Sequence, residues 1–464
     1  MNGPPRPALD GVTAKMKTSA ELSETESDKD LLGPFQIQSY DDLLKFPELP
    51  VSTIDTPSGK RAITEPIVDA IVVPTIRTAE HLRPAAQLAA SARCHLIAVY
   101  TDSPPTGLSS VLDGLRPGQV TLLTVRSGSK DRLLDLGAAL PQGRLSLAAL
   151  DISRKRNLGL LIGRICGWTR LLFLDDDIRK ISVAKLSSAA ALLDDYPVVG
   201  LQVRKYPDAS VVGHARRLTG RRQEPFVSGG ALLVNPQLLN GYFPPTYHED
   251  WLCIINHLRA GEVAVGGWVG QKIYLPFTTS ERAMLEEFGD ILAAGLLWLA
   301  HGFSMKGDVD EDKASSRTEA HYWREATNPS FWERILEERA VLLEEIVARF
   351  TAQNLVNPSA LHSLAAAKQR LGELKPADFV SFTEKWLTSL AEWRGKLSIL
   401  SPVDLVDKVQ AIDKALSELG LSQIVRTHEM SSQSGATWRT RWMGGFAGLW
   451  SVDSRVRFGL SRWL

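Results

Sequence analysis

The sequence predicts an α/β protein: a mostly parallel sheet covered by helices on both faces, followed by an α-helical C-terminal region. Three observations predict it. Short, near-continuous apolar runs at residues 67–76, 95–100, 120–125 and 171–174 read as strands buried on both faces. Segments with helical spacing lie between them, as in 79–92, where Leu82, Ala85, Ala86 and Ala89 share a face. From about Ser280 onward the apolar period is helical and the strand pattern stops.

The first strand, 67–76, ends on Pro74 and Thr75. Helix 79–92 and strands 95–100 and 120–125 follow. Residues 153–166 are expected to be a helix, with Ser153 as its N-cap and Leu158, Leu161, Ile162 and Ile165 on one face. The strand at 171–174 then runs directly into three aspartates. Strands are expected at 198–203 and 226–234, and a helix from Glu249 to about Leu258. Amphipathic helices are expected at 331–350, 361–374, 379–393 and 403–419, the first carrying Ile335, Leu336, Leu342, Leu343, Ile346 and Val347. Domain boundaries follow: 1–64, rich in Pro, Ser, Thr and acidic residues, as a disordered or loosely attached segment; 65–280 as the α/β domain; 281–464 as the mainly helical region.

The 464 residues carry 53 Lys+Arg against 53 Asp+Glu, so no global field favours nucleic acid as a partner. Cys94, Cys166 and Cys253 are widely spaced in apolar surroundings, which fits reduced thiols in a cytoplasmic protein. The N-terminus lacks a basic segment followed by an apolar run, so no secretory signal is expected. The most apolar window, 291–300, is about half the ~20 residues that span a bilayer, and is expected to be a core helix. Residues 438–464 mix five arginines with Trp438, Trp442, Trp450, Phe458 and Trp463. That composition suits peripheral contact with an anionic surface, such as an inner membrane face, and equally suits packing on the chain's own helices or on a second subunit.

The strongest chemical signal is the apolar strand ending in Asp175, Asp176 and Asp177. Open α/β sheets bind ligands beyond the carboxyl ends of their strands. Three adjacent carboxylates repel one another, and a divalent cation with substrate phosphates relieves that repulsion. An acidic loop or helix N-terminus is the structural alternative. Arg156, with Arg154 and Lys155 beside it, is a candidate phosphate partner. Gly229 and Gly230 would let a substrate approach the backbone or form a strand bulge, and Asp102 is either a ligand contact or a turn residue.

These pieces together resemble the GT-A glycosyltransferases, glycosyltransferase family 2 in particular. Leu171 to Asp177 resembles the family's Asp-x-Asp strand, and Arg156-Asn157-Leu158-Gly159 its Arg-Asn-x-Gly helix start. Ser228-Gly229-Gly230-Ala231 resembles the acceptor-side Gly-Gly strand, and His248-Glu249-Asp250-Trp251 the Glu-Asp motif. Pro74, Thr75 and Arg77 stand where that family begins its nucleotide site, and Asp102 where it places an acidic contact to the base.

The resemblance implies a Rossmann-like GT-A fold and a hexosyltransferase-type reaction using a UDP- or GDP-linked sugar, with Mn2+ or Mg2+ as cofactor and an unidentified acceptor. It assigns Asp177 to the metal, Asp175 to the ribose side or the metal, and Asp176 to a variable position. If the transfer is inverting, it makes Asp250 the base, with Glu249 as the fallback. A further metal ligand would be a histidine after the Glu-Asp motif; His301 is the first choice, with His257 and His321 as other candidates. The Gln-x-x-Arg-Trp motif of processive synthases is missing. A sugar-phosphate nucleotidyltransferase would need a Gly-rich loop with a lysine after the first strand, which Pro74-Thr75-Ile76-Arg77 lacks. A non-catalytic carbohydrate- or protein-binding module on the same fold is the remaining alternative.

Overall fold

The computed structural model describes residues 44–47, 67–127, 134, 136, 147–204, 209–221, 227–305, 318–403, 407–421, 425–432 and 435–442. In its first half β1 (Ala70–Pro74), α1 (Ala79–Ala92), β2 (His95–Thr101), α2 (Leu108–Leu112), β3 (Val120–Val125) and α3 (Leu147–Ile165) lead to β4 (Leu171–Leu174). There follow β5 (Ile178–Arg179), α4 (Val183–Ala191), β6 (Val198–Arg204), α5 (Val211–Leu218), β7 (Val227–Val234), α6 (Glu249–Arg259) and β8 (Val263–Gln271). The helical region comprises α7 (Ser280–Met305), α8 (Glu319–Ala326), α9 (Pro329–Ala352), α10 (Pro358–Glu373), α11 (Pro376–Ile399) and α12 (Lys408–Glu418), and a hairpin of β9 (Val425–Ser432) and β10 (Gly435–Trp442) ends it.

All ten strands join one sheet in the order β10-β9-β3-β2-β1-β4-β7-β6-β8-β5. β1 to β4, β6 and β8 run in one direction, and β7 is inserted against them between β4 and β6. The apolar strands are buried along their whole length, as β1, β3 and β4 show. Unbroken apolar runs therefore mark strands with helices on both faces. The chain steps outward from β1 to β2 and β3, then returns to place β4 on the other side of β1. Sheets with such a reversal take their ligands beyond the carboxyl ends of the strands that flank it, here β1 and β4.

Helix α3 packs close on the sheet because Gly159 faces β1 and β4: a Cβ there would sit 3.0 Å from both Phe173 and Val72. The helix is already formed at Leu147, ahead of the expected start at Ser153. Ser153 is thus an interior residue rather than an N-cap, and its hydroxyl donates to the Pro244 carbonyl at 2.8 Å.

The helical region packs on the sheet without a separate core. One buried cluster runs from Val72 and Phe173 through Leu292 and Leu296 to Trp386 and Ile412. Trp332 of α9 stacks on Phe379 of α11, and Phe379 in turn on Phe288 of α7, each at 4.8 Å. On α9 Ile335, Leu342, Leu343 and Ile346 are buried as expected, whereas Val347 is 41% exposed. The window 291–300 is an interior part of α7, and no helix among the described residues is long and apolar enough to cross a membrane. The three cysteines are free.

Two elements depart from the expected organisation. Residues 44–47 lie within the N-terminal segment expected to be loose, yet Lys45 pairs with Ala264 of β8 and Leu44 is buried. The region expected to be mainly helical also holds two strands, of which β9 pairs antiparallel with the outer edge of β3 and extends the sheet. In the sequence Trp438, Thr440 and Trp442 alternate with Arg439 and Arg441, which is the period-two signature of a strand. From residue 443 onward the segment 438–464 lies outside the described residues.

Candidate functional site

The region beyond the carboxyl ends of β1 and β4 gathers most of the sequence-predicted residues. Beyond β1, the Thr75 hydroxyl donates to Asp176 Oδ2, and Arg77 Nη1 donates to Asp176 Oδ1 at 2.7 Å. The same guanidinium lies 3.4 Å from Asp177 Oδ2. Asp176, the position with the least assigned role, is thus the carboxylate that ties the two strand ends together. Arg77 is 44% exposed and open to a ligand, whereas Pro74 is buried at the end of β1 and shapes the turn.

Asp175 is held by Arg156 of α3, whose Nη2 donates to Asp175 Oδ1 at 2.9 Å while Nη1 bonds to Glu249. The guanidinium is buried, and its two carboxylate partners come from β4's end and from the start of α6. It is therefore a fixed cross-brace inside the site. Glu249, the fallback base, is engaged in this ion pair. Burial pushes its carboxyl up against the pull of Arg156.

Asp250, the first-choice base, sits in the first turn of α6 and accepts the Gly229 amide on Oδ2 and the Trp251 amide at 2.8 Å on Oδ1. Gly229 is required for this approach: a Cβ there would stand 2.6 Å from Arg156 Nη1 and 2.8 Å from Asp250 Cβ. Gly230 stacks beside Asp175, its carbonyl accepting the Asp175 amide at 2.9 Å.

Asp177 is the least satisfied of the three aspartates. Burial raises its carboxyl and that of Asp176, and the neighbouring charge of Asp175 raises both further. Its Oδ1 is buried and has no hydrogen-bond partner, as is also true of the Ser228 hydroxyl on β7. A buried carboxylate oxygen without a donor is costly, and its need is met by a cation.

Among the described residues no group of three or more His, Cys, Asp or Glu side chains is disposed to hold a metal ion. The protein donors present still fit a Mg2+- or Mn2+-type ion, which binds through one or two carboxylates and takes its remaining ligands from water and phosphate.

The remaining expected residues take other parts. Asn157 is fully buried and spent on Phe243, donating to its carbonyl at 2.9 Å and accepting its amide at 2.8 Å. It anchors the 243 loop and is not open to substrate. Asp102, at φ 60°, is a turn residue whose carboxylate accepts the Ser127 amide at 2.7 Å and the Ser127 hydroxyl. Lys155, weighed as an alternative to Arg156, is buried and bonds to Asp151 and to the Thr75 carbonyl at 3.0 Å. His301 lies on α7 about 16 Å along the axis from Asp290, the residue by which α7 reaches the start of α6. Comparison with known families finds none whose profile matches this chain, and no curated protein is significantly similar to it.

Asp151, Asp290 and Gln271 join the site without a recognisable motif. Asp151 and Lys155 brace α3 to β1 and β2, since Asp151 also accepts the Thr101 hydroxyl at 2.7 Å; only their i,i+4 spacing hints at the pair. His248, in the left-handed region at φ 62°, directs its Nε2 to Asp290 of α7 at 3.0 Å. Asp290 also accepts from Ser210 at 2.8 Å and from Arg339 of α9 at 2.7 Å. Gln271, the last residue of β8, places its amide nitrogen 3.5 Å from Asp177 Oδ2.

Proposed function

We propose that this protein is a metal-dependent glycosyltransferase of the GT-A type, moving a sugar from a UDP- or GDP-linked donor to an acceptor hydroxyl. The observation that carries the reading is the convergence of five sequence-distant motifs at the strand-order reversal beyond β1 and β4, where α/β sheets take nucleotide ligands. Thr75 with Arg77, Arg156, the three aspartates, Gly229 with Gly230, and Glu249 with Asp250 form one bonded cluster there.

In this reading Asp177 holds the divalent ion through its unpartnered Oδ1, with Asp175 on the ribose side. Bound there, such an ion would act as a Lewis acid toward the leaving diphosphate. Arg77, exposed beside Asp177, supplies a guanidinium to phosphate oxygens. Arg156 keeps Asp175 and Glu249 in fixed positions. Asp250, oriented by the Gly229 and Trp251 amides, retains lone pairs to receive the proton of an acceptor hydroxyl. Gly229 and Gly230 leave the backbone open to the sugar.

Calorimetric titration with UDP-, GDP- and dTDP-sugars, with and without Mn2+, tests the reading. Asp177→Ala is expected to abolish metal-dependent donor binding, and unchanged binding would overturn the metal assignment. Asp250→Asn is expected to bind donor normally and lose transfer; turnover near that of the parent protein would remove Asp250 as the base.

A further inference from the structure

Strand β8 delivers Gln271 to the same end of the sheet as the three aspartates. The residue pairs with Ile178 of β5, and the following amide, that of Lys272, donates to the Asp177 carbonyl at 2.9 Å. These two backbone contacts hold the chain at Gln271 alongside the Asp177–Ile178 segment.

The amide is nevertheless poorly used as a hydrogen-bonding group. Nε2 lies 3.5 Å from Asp177 Oδ2, at the outer limit of a hydrogen bond. Gln271 Oε1 and Asp177 Oδ1 are both buried without any partner. Two neighbouring side chains thus each leave an acceptor oxygen out of water and without a donor, an arrangement that costs stability unless something fills it. Arg77 approaches the opposite oxygen of Asp177, Oδ2, so it does not meet the need of Oδ1. Rotation of the terminal amide exchanges its oxygen and nitrogen at little cost, which sets Oε1 in the place of Nε2, beside Asp177 Oδ2. A carboxylate oxygen beside an amide carbonyl oxygen is a donor pair for a hard divalent cation.

We propose that Gln271 is a metal ligand, its carboxamide oxygen and the Asp177 carboxylate holding the same divalent cation. The inference rests on the metal reading of the site given above. A neutral amide carries no charge that would mark it in the sequence, and the β5–β8 pairing brings it beside Asp177.

Mn2+ is the probe, titrated alone and with inorganic pyrophosphate into the full chain and followed by electron paramagnetic resonance and calorimetry, so that no turnover is needed. Gln271→Leu is expected to weaken Mn2+ binding by about tenfold or more. Gln271→Glu is expected to tighten it, because it keeps the geometry and adds a charged oxygen. A Gln271 that served only as a hydrogen-bond donor to Asp177 gives the opposite result in the second variant, since two carboxylates would then repel. Mn2+ affinity unchanged in Gln271→Leu but lost in Asp177→Ala overturns the role of Gln271 and leaves the metal reading standing. If the leucine variant does not fold, the glutamate variant decides: equal or weaker binding overturns the assignment. A parent protein that takes up no Mn2+ in either arm overturns both.

Discussion

Arg156 on α3 and Glu249 on α6 form a buried ion pair, with the same guanidinium also reaching Asp175. Two stretches of sequence with no local relation are thereby locked together behind the three aspartates. Removing the arginine alone strands buried negative charge. Arg156→Leu is expected to cost about 3–5 kcal/mol of stability. Adding Glu249→Leu should recover part of that loss, because the uncompensated carboxylate is then gone. Urea denaturation of the two single variants and the double variant measures the coupling; strict additivity would mean the pair is not coupled.

Gly229 and Gly230 are expected to differ in their tolerance of a methyl group. At Gly229 the new Cβ would overlap Arg156 Nη1 and crowd Asp250, whereas at Gly230 its nearest neighbour is Asp175 Oδ2 at 3.3 Å. Gly229→Ala should lower stability by roughly 1–3 kcal/mol and reduce donor binding and transfer together. Gly230→Ala should be the milder of the two in thermal melting and in donor titration.

The helical region holds the start of α6 through charge. Arg339 bonds both oxygens of Glu287, at 2.8 and 2.7 Å, and Asp290, while Asp290 in turn bonds His248 immediately before Glu249. The neighbouring Arg339 and His248 hold the Asp290 carboxyl well below the usual carboxylate range despite its burial. Arg339→Met leaves Glu287 and Asp290 without their shared cation and is expected to lower the urea midpoint by the equivalent of about 3–5 kcal/mol. A variant within 1 kcal/mol of the parent would show that water or another cation satisfies them.

Acid sensitivity is expected from His214 on α5. Burial, reinforced by Arg282 and Arg217, pushes its imidazole down from 6.5 to about 4, and its Nε2 lies 2.8 Å from the Tyr274 hydroxyl. Below about pH 6.5 the unfolded chain takes up a proton that the folded chain refuses until about pH 4. The stability of the native state is therefore complete above that window and falls through it on acidification, by up to roughly 3 kcal/mol. Denaturation curves from pH 4 to 7 for the parent and His214→Gln measure this; equal slopes would remove His214 as the cause.

The sequence by itself determined the strands and most helices of the α/β core, because burial on both faces demands unbroken apolar runs that few other structures tolerate. α1 and β3 begin and end where the apolar pattern does, and the strand before Asp175 is legible for the same reason. It also placed Arg156, the three aspartates and Asp250 in order along the chain. Which of them touch was decided by the tertiary structure. The return of the chain to set β4 beside β1 brings Arg77 to Asp176, and the packing of α6 under β7 brings Asp250 to Gly229. Asn157 belonged to a motif yet is spent on Phe243, while Gln271 belonged to none yet stands beside Asp177. Local sequence records periodicity and burial, which act over a few residues. Long-range pairing and the orphaned oxygens it leaves exist only once the sheet has closed around them.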